Sequence, residues 1–241
     1  MRLKKSLKYI VLLVLTVSLG LLFGFTENRN LSKKISEIHV DFSENEARFL
    51  SISMVNKLLI QNQETVKNQP KSKLDLYRLE QKVLTNPYVE STSVYTTING
   101  ELFATVKERT PIARVLIDNA SYYLDKKGVK IPLSQNYSAR VPLIMGISTT
   151  DNLDEIYDFM HFIFEDEFLR KEITGVRKML SGEFQLMVRS GDYRIEFGKL
   201  KNIEKKFKKL KAFYSKTLLD KTIFNYKTIN LKFHNQVVGV K

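Results

Sequence analysis

Apolar positions follow three rhythms along this chain: an unbroken run, a period of two, and a period of three to four. Tyr9 to Phe25 is apolar and uncharged. At about 1.5 Å per residue such a run crosses most of a bilayer core of about 30 Å as a single helix. Ile35 to Phe42 alternates apolar and polar residues, the period of a strand with one buried face. From Arg48 to Ile60 a helix is expected, with Val55, Leu58 and Leu59 turned inward. Gln61 to Lys73 is polar, contains Pro70 and reads as a loop. A second helix starts near Ser72 or Asp75 and carries Leu76, Leu79, Val83 and Leu84. It stops at Asn86-Pro87, because the residue before a proline avoids the helical region. Val89–Ile98 and Glu101–Glu108 flank Asn99-Gly100, a strong hairpin signal. The order strand–helix–helix–strand–strand closes a small unit in which two helices cover one face of a three-stranded sheet.

After Pro111 the strands become short. Ile112–Ile117, Tyr122–Asp125, Val129–Leu133 and Val141–Met145 are separated by the turn residues Asp118-Asn119, Lys127-Gly128 and Gln135-Asn136. A helix is expected from Asn152 to Arg170, with Leu153, Ile156, Met160, Ile163 and Phe164 inward. Strands follow at Ile173–Met179, Glu183–Arg189 and Tyr193–Phe197. Leu200, Ile203, Phe207, Leu210 and Tyr214 then form a helical stripe, and Lys227–Phe233 reads as the last strand region before Val237–Lys241. The fold class is α+β. The expected divisions are a tail at 1–8, a transmembrane helix at 9–25, a linker at 26–35, a first domain at 36–109 and a mixed β-domain with two long helices at 110–241.

Charge refines this plan. Arg2, Lys4, Lys5 and Lys8 precede the apolar run, which keeps the N-terminus in the cytoplasm and displays the rest on the far side. The exit Leu22-Phe-Gly-Phe-Thr26 does not offer the small-x-small site of a cleaved signal peptide, so the segment reads as a retained anchor. The net charge of +13 is concentrated in two places. Residues 1–35 carry 7 Lys/Arg against 1 acid, and residues 199–221 carry 9 Lys against 2 acids. The second cluster, Lys199–Lys221, puts Lys201, Lys205, Lys206, Lys208, Lys209 and Lys211 on the outer face of a helix. That is either a solvated helix back or a contact for acidic lipid or cell-wall polymer; an extracytoplasmic domain rarely meets nucleic acid.

Chemistry is sparse. There is no cysteine, and His39, His161 and His234 are the only histidines, which argues against a structural zinc site. His39 reads as an exposed strand residue. No phosphate-binding glycine loop, dinucleotide fingerprint or serine-nucleophile motif is present. Asp154, Asp158, His161 and Glu165 fall on one helical face, a spacing that suits a cation but reads more simply as a solvated acidic stripe. No catalytic, cofactor or metal residue is assigned, and the chain reads as a binding module.

Several blocks then resemble one family in order. They are Leu84-Thr-Asn-Pro-Tyr-Val-Glu-Ser-Thr-Ser-Val94, Leu102-Phe-Ala-Thr-Val-Lys-Glu-Arg-Thr-Pro-Ile-Ala-Arg114, Tyr123-Leu-Asp-Lys-Lys-Gly-Val129, Val141-Pro-Leu-Ile-Met-Gly146 and Thr228-Ile-Asn-Leu-Lys-Phe-His-Asn-Gln-Val-Val238. With the single anchor, they resemble the bacterial cell-division family FtsQ/DivIB. Tyr88 stands where many members have tryptophan, and Asn230-Leu-Lys232 where they have Asp-Leu-Arg.

The resemblance implies a POTRA domain followed by a β-domain, and a non-enzymatic divisome scaffold in the cytoplasmic membrane at the division septum. It implies FtsB-like and FtsL-like small membrane proteins as partners. Strand addition at an exposed sheet edge is the physical mode favoured here. The expected edge is Lys227–Phe233, with Ile229, Leu231 and Phe233 turned to the core, and the expected contacts are Asn230, Lys232, Phe233 and Asn235. A POTRA-bearing transport or assembly factor and a membrane-anchored cell-wall hydrolase are the competing readings.

Overall fold

The structure, a computed structural model, describes residues 2–43, 49–61, 64–117, 120–148 and 150–241, with the main chain alone at 2–7, 61, 64–65 and 218. It divides into two compact units, Met1–Glu108 and Arg109–Lys241. The α+β class holds, with one apolar N-terminal helix ahead of the β-rich part.

In the first unit, helix α1 (Arg2–Ser32) is long and apolar enough over Lys8–Ser32 to cross a membrane. It continues through residues expected to form a linker, so only the stretch after Ser32 is non-helical. Strand β1 (Ile38–Phe42) follows, and then α2 (Ile52–Leu58). Helix α2 starts later than its apolar spacing suggests, because the Ser51 hydroxyl caps it by accepting from Met54 N. Arg48, the expected start, lies outside the described residues. The expected loop contains a two-residue ladder, β2 (Ile60–Gln61) against β3 (Glu64–Thr65), and a 3-10 turn at Lys71–Lys73. Helix α3 (Leu76–Leu84) is capped by Asp75, which accepts from Arg78 N.

Strands β4 (Val89–Thr96) and β5 (Leu102–Glu108) form the expected hairpin. Gly100 has φ +92°, which a side chain would strain, and a β-carbon there would stand 2.7 Å from Lys34 O. The sheet order is β1-β5-β4, with β1 parallel to β5. Val40, Val94, Ala104 and Val106 pack against Val55, Leu79 and Val83 from the helices.

The second unit is built on a nine-stranded sheet. Its strands are β6 (Pro111–Ile117), β7 (Ala120–Asp125), β8 (Lys130–Pro132), β9 (Leu143–Met145), β10 (Ile173–Lys178), β11 (Phe184–Val188), β12 (Arg194–Gly198), β13 (Thr228–Asn230) and β14 (Val238–Val240). The order is β14-β13-β12-β11-β10-β9-β6-β7-β8, an open sheet with β14 and β8 at its two edges. The turn expected at Asp118-Asn119 lies outside the described residues.

The expected helix Asn152–Arg170 is two helices, α4 (Leu153–Glu165) and α5 (Glu167–Glu172). Asp166 breaks it: its backbone is extended and its carboxylate caps α5 by accepting from Leu169 N. Helix α6 (Ile203–Leu219) carries the lysine cluster. The rings of Phe159 on α4, Phe207 on α6 and Phe197 on β12 meet with centroids 4.9 to 5.7 Å apart, so both helices cover the same sheet face.

Candidate partner-binding edge

The sheet's two edges differ in chemistry. At one end β8 ends in Pro132, which offers no N–H, and begins with the exposed Lys130. Both features discourage another strand from pairing. At the other end β14 reads Val238-Gly-Val240 and pairs with β13 alone, in the register Thr228↔Val240, Ile229↔Gly239 and Asn230↔Val238. Val240 O accepts from Lys227 N at 2.7 Å, so Val240 turns its carbonyl toward β13. Successive residues of an antiparallel strand turn their backbone groups to opposite sides, so the Gly239 N–H and C=O point away from β13.

Gly239 allows the strand to lie close to Tyr226, whose ring lies 5.5 Å from that of Phe213 at a tilt of 57°. Beside them, Phe213, Lys216, Thr217, Asp220, Thr222, Asn225, Tyr226 and Lys241 line a shallow pocket of ≈370 Å³. Phe224 and Val240 are exposed nearby in sequence, at 66% and 51%.

The edge is therefore one strand further on than the sequence suggests. Strand β13 is flanked on both sides, parallel to β12 and antiparallel to β14, so its backbone has no free ladder. Ile229 and Leu231 are buried as expected, but β13 ends at Asn230 and the chain turns, which leaves Phe233 47% exposed instead of in the core. Asn230 is occupied within the domain: its Nδ2 donates to Glu196 Oε2 at 3.1 Å and its Oδ1 accepts from Lys232 N. Lys232 is also occupied, with Nζ 3.1 Å from Glu196 and 3.3 Å from Glu183. Its stem lies over Gly198, where a β-carbon would meet Cγ at 2.8 Å. Hydrogen bonds from Lys232 to Glu196 and Glu183 hold its ammonium above the ordinary lysine range. Of the four expected contacts, Lys232, Phe233 and Asn235 are exposed; Lys232 is tied to Glu196 and Glu183, while Phe233 and Asn235 lie in the loop leading into β14. The missed residues, Val238-Gly-Val240, did have a signal: an apolar stretch after the turn residues His234-Asn-Gln236.

The basic helix is not simply a solvated back. Lys206 Nζ donates to Phe197 O and Lys199 O, both at 2.7 Å, and burial pushes its ammonium down. Lys209 Nζ donates to Phe233 O at 2.5 Å and Lys211 pairs with Asp166. Lys201, Lys205 and Lys208 remain exposed on α6 and the turn before it.

Other polar clusters are structural or open to solvent. Glu172, 9% exposed, accepts from Ser190 Oγ at 2.5 Å and from Tyr214 Oη at 3.1 Å, and Tyr214 accepts from Tyr193 at 2.6 Å. A chain this buried gives a substrate no approach. On α4, Asp154, Asp158 and Glu165 are exposed. Among the described residues, the group that could gather round a cation is Glu37, His39 and Glu101, with ligand atoms within 4.8 Å of one another. His39 is stacked on Phe103 at 4.7 Å and half-exposed on the open face of the first sheet.

An N-terminal helix long and apolar enough to cross a membrane, a β-α-α-β-β unit and an open nine-stranded sheet make an arrangement that fits a membrane-anchored protein. Residues 110–240, more than half of the chain, match the family described as FtsQ/DivIB, C-terminal related. The chain belongs to that family, whose members are non-enzymatic division scaffolds, and it is a cell-division protein. Among curated proteins, none matches the chain.

Proposed function

We propose that the chain is a divisome scaffold that binds small single-pass membrane proteins of the FtsB and FtsL kind by accepting one of their segments as a further strand on β14. The N-terminus lies in the cytoplasm, α1 crosses the cytoplasmic membrane and the chain after it lies on the far side, at the division septum. The β-α-α-β-β unit acts as a POTRA domain, and the complex helps to regulate septal cell-wall synthesis. The observation that carries this reading is the contrast between the two edges, Pro132 closing one while β14 leaves the Gly239 backbone groups unpaired on the other. A partner strand gains main-chain hydrogen bonds there, and the pocket beside Tyr226 and the exposed Phe233 add side-chain selection. The open sheet disfavours the assembly-factor alternative, because it does not close into a barrel.

Photo-crosslinking in cells tests this. A benzophenone amino acid at Val240 is expected to capture small single-pass division proteins, and the same group at Lys130 on β8 is not. Capture at Lys130 with none at Val240 would move the site. Capture of outer-membrane assembly factors instead would favour the alternative function.

A further inference from the structure

The first unit is bolted to its anchor. Immediately after α1, Lys33 O accepts from Lys71 N at 2.9 Å, Ile35 N donates to Gln69 O at 2.9 Å and Asn68 N donates to Ile35 O at 2.8 Å. Ser36 N donates to Gly100 O at 2.9 Å, and Ile35 is fully buried. Two lysines add side-chain clamps. Lys33 Nζ donates to Ile98 O at 3.0 Å, and Lys71 Nζ donates to Asn30 Oδ1 at 2.8 Å and Thr97 O at 2.9 Å. The β4–β5 turn, Thr97–Gly100, and the 3-10 turn at Lys71–Lys73 therefore stand against the last turn of the membrane helix.

Their height follows from the helix. Lys33 is eight residues past Phe25, about 12 Å along the axis at about 1.5 Å per residue. The headgroup layer adds about 5–8 Å to each side of the hydrocarbon core. The cations at the helix exit, Arg29, Lys33, Lys34 and Lys71, thus fall within side-chain reach of lipid phosphates. Two apolar side chains are exposed among them, Ile98 at 76% and Leu31 at 43%. Exposed aliphatic groups interspersed with lysine and arginine characterise surfaces that rest in an anionic interface. Glu27 on α1, and Glu37 and Glu101 at the start of β1 and β5, are the acidic side chains close by in the fold.

We propose that this end of the first unit is a lipid-binding face. Arg29, Lys33, Lys34 and Lys71 hold anionic phospholipid headgroups, and Ile98 rests in the interface. The unit then sits directly on the bilayer instead of swinging on a tether. The proposal rests on α1 being the anchor. It is independent of what binds at β14.

The absence of cysteine makes the test clean. The full chain carries one polarity-sensitive fluorophore at Ile98→Cys, at Ser43→Cys beyond the opposite end of β1, or at Phe25→Cys inside the span. Each is placed in nanodiscs of phosphatidylethanolamine with phosphatidylglycerol, or of phosphatidylcholine alone. In the anionic discs the label at 98 is expected to shift to the blue and to be quenched by brominated lipid about twofold or more above the label at 43. Arg29→Glu with Lys34→Glu, neither with a side-chain bond to lose, is expected to abolish the anionic preference while the label at 25 stays quenched. A label at 98 that remains aqueous while the label at 25 is quenched would overturn the proposal and leave the anchor intact. Equal quenching at 98 in both lipids would overturn the headgroup claim. Failure of the label at 25 to be quenched in either disc would remove the anchor and the proposal together.

Discussion

Gly239 lies so close to Tyr226 that a β-carbon on it would stand 2.5 Å from Cδ1 of the ring. Glycine is therefore what lets the edge strand pass over the aromatic side chain that pairs with Phe213. Gly239→Ala forces the strand or the ring aside, and crowding of this kind costs about 1–3 kcal/mol. Partner binding is expected to fall about tenfold or more, and Tyr226→Ala in the same chain is expected to restore it by opening the space. Binding by the purified variants to the partner's extracytoplasmic segment checks both. An unchanged affinity for Gly239→Ala would mean that the edge geometry does not matter.

Lys232 is expected to behave as a fold residue. Its exposed ion pairs with Glu196 and Glu183 limit the loss in Lys232→Ala to about 1 kcal/mol or less. Lys232→Glu adds a third carboxylate to the pair and should destabilise more. The folded state raises the Lys232 pKa, so its contribution is complete below the unfolded value of about 10.4 and is lost as pH rises through the folded one. Denaturant titrations of wild type and Lys232→Ala should converge as pH rises past the raised folded value.

At Asp166 the sign is the opposite. Burial raises its carboxyl, but the Lys211 ammonium and the Leu169 and Phe168 N–H groups outweigh this and hold it below the usual range. Its contribution is present above about pH 4 and is lost as pH falls through the folded value. Asp166→Asn keeps a good helix cap and removes the charge, so it should lower stability at pH 7 by about 1 kcal/mol or less and flatten the acid limb of the stability curve. Asp166→Ala loses the cap as well, about 1 kcal/mol more. Thermal melts from pH 3 to pH 7 compare them.

The first unit's fold was legible because its signals are local. Asn99-Gly100 permits the turn that Gly100's φ of +92° requires, and α3 ends at Leu84, just ahead of Asn86-Pro87. The break at Asp166 was not legible, since Asp166-Glu167 continues a helical pattern and only the Lys211 pair and the α5 cap reveal the interruption. The edge was misplaced by one strand for a similar reason. The apolar stretch at Val238-Gly-Val240 is visible but too short to separate a strand from a tail; Tyr226 and the Ile229 register do so across the fold. The exposed positions of Phe233 and Asn235 survive from the original set, whereas Asn230 and Lys232 were assigned outward because their bond to Glu196 crosses 34 to 36 residues of sequence.

The buried hydroxyl chain offers a fourth test. Burial, and then the Tyr193 hydroxyl, push the Tyr214 phenol far above its ordinary range. Folding thus favours the protonated ring, and stability should fall once pH exceeds the unfolded value of about 10. Tyr214→Phe takes the Tyr214 acceptor from Tyr193 and one donor from Glu172, which keeps Ser190, a loss of about 1–3 kcal/mol. The denaturation midpoint at pH 7 is expected to shift accordingly, while partner binding is unchanged.

The central claim is that a partner strand pairs with β14. Residue-resolved amide exchange of the full chain, alone and with the partner's extracytoplasmic segment bound, reads it most directly. The Gly239 amide, turned away from β13, should exchange rapidly in the free protein and at least about tenfold more slowly in the complex, while Lys130 on β8 should not change. Binding without protection at Gly239 would contradict the account.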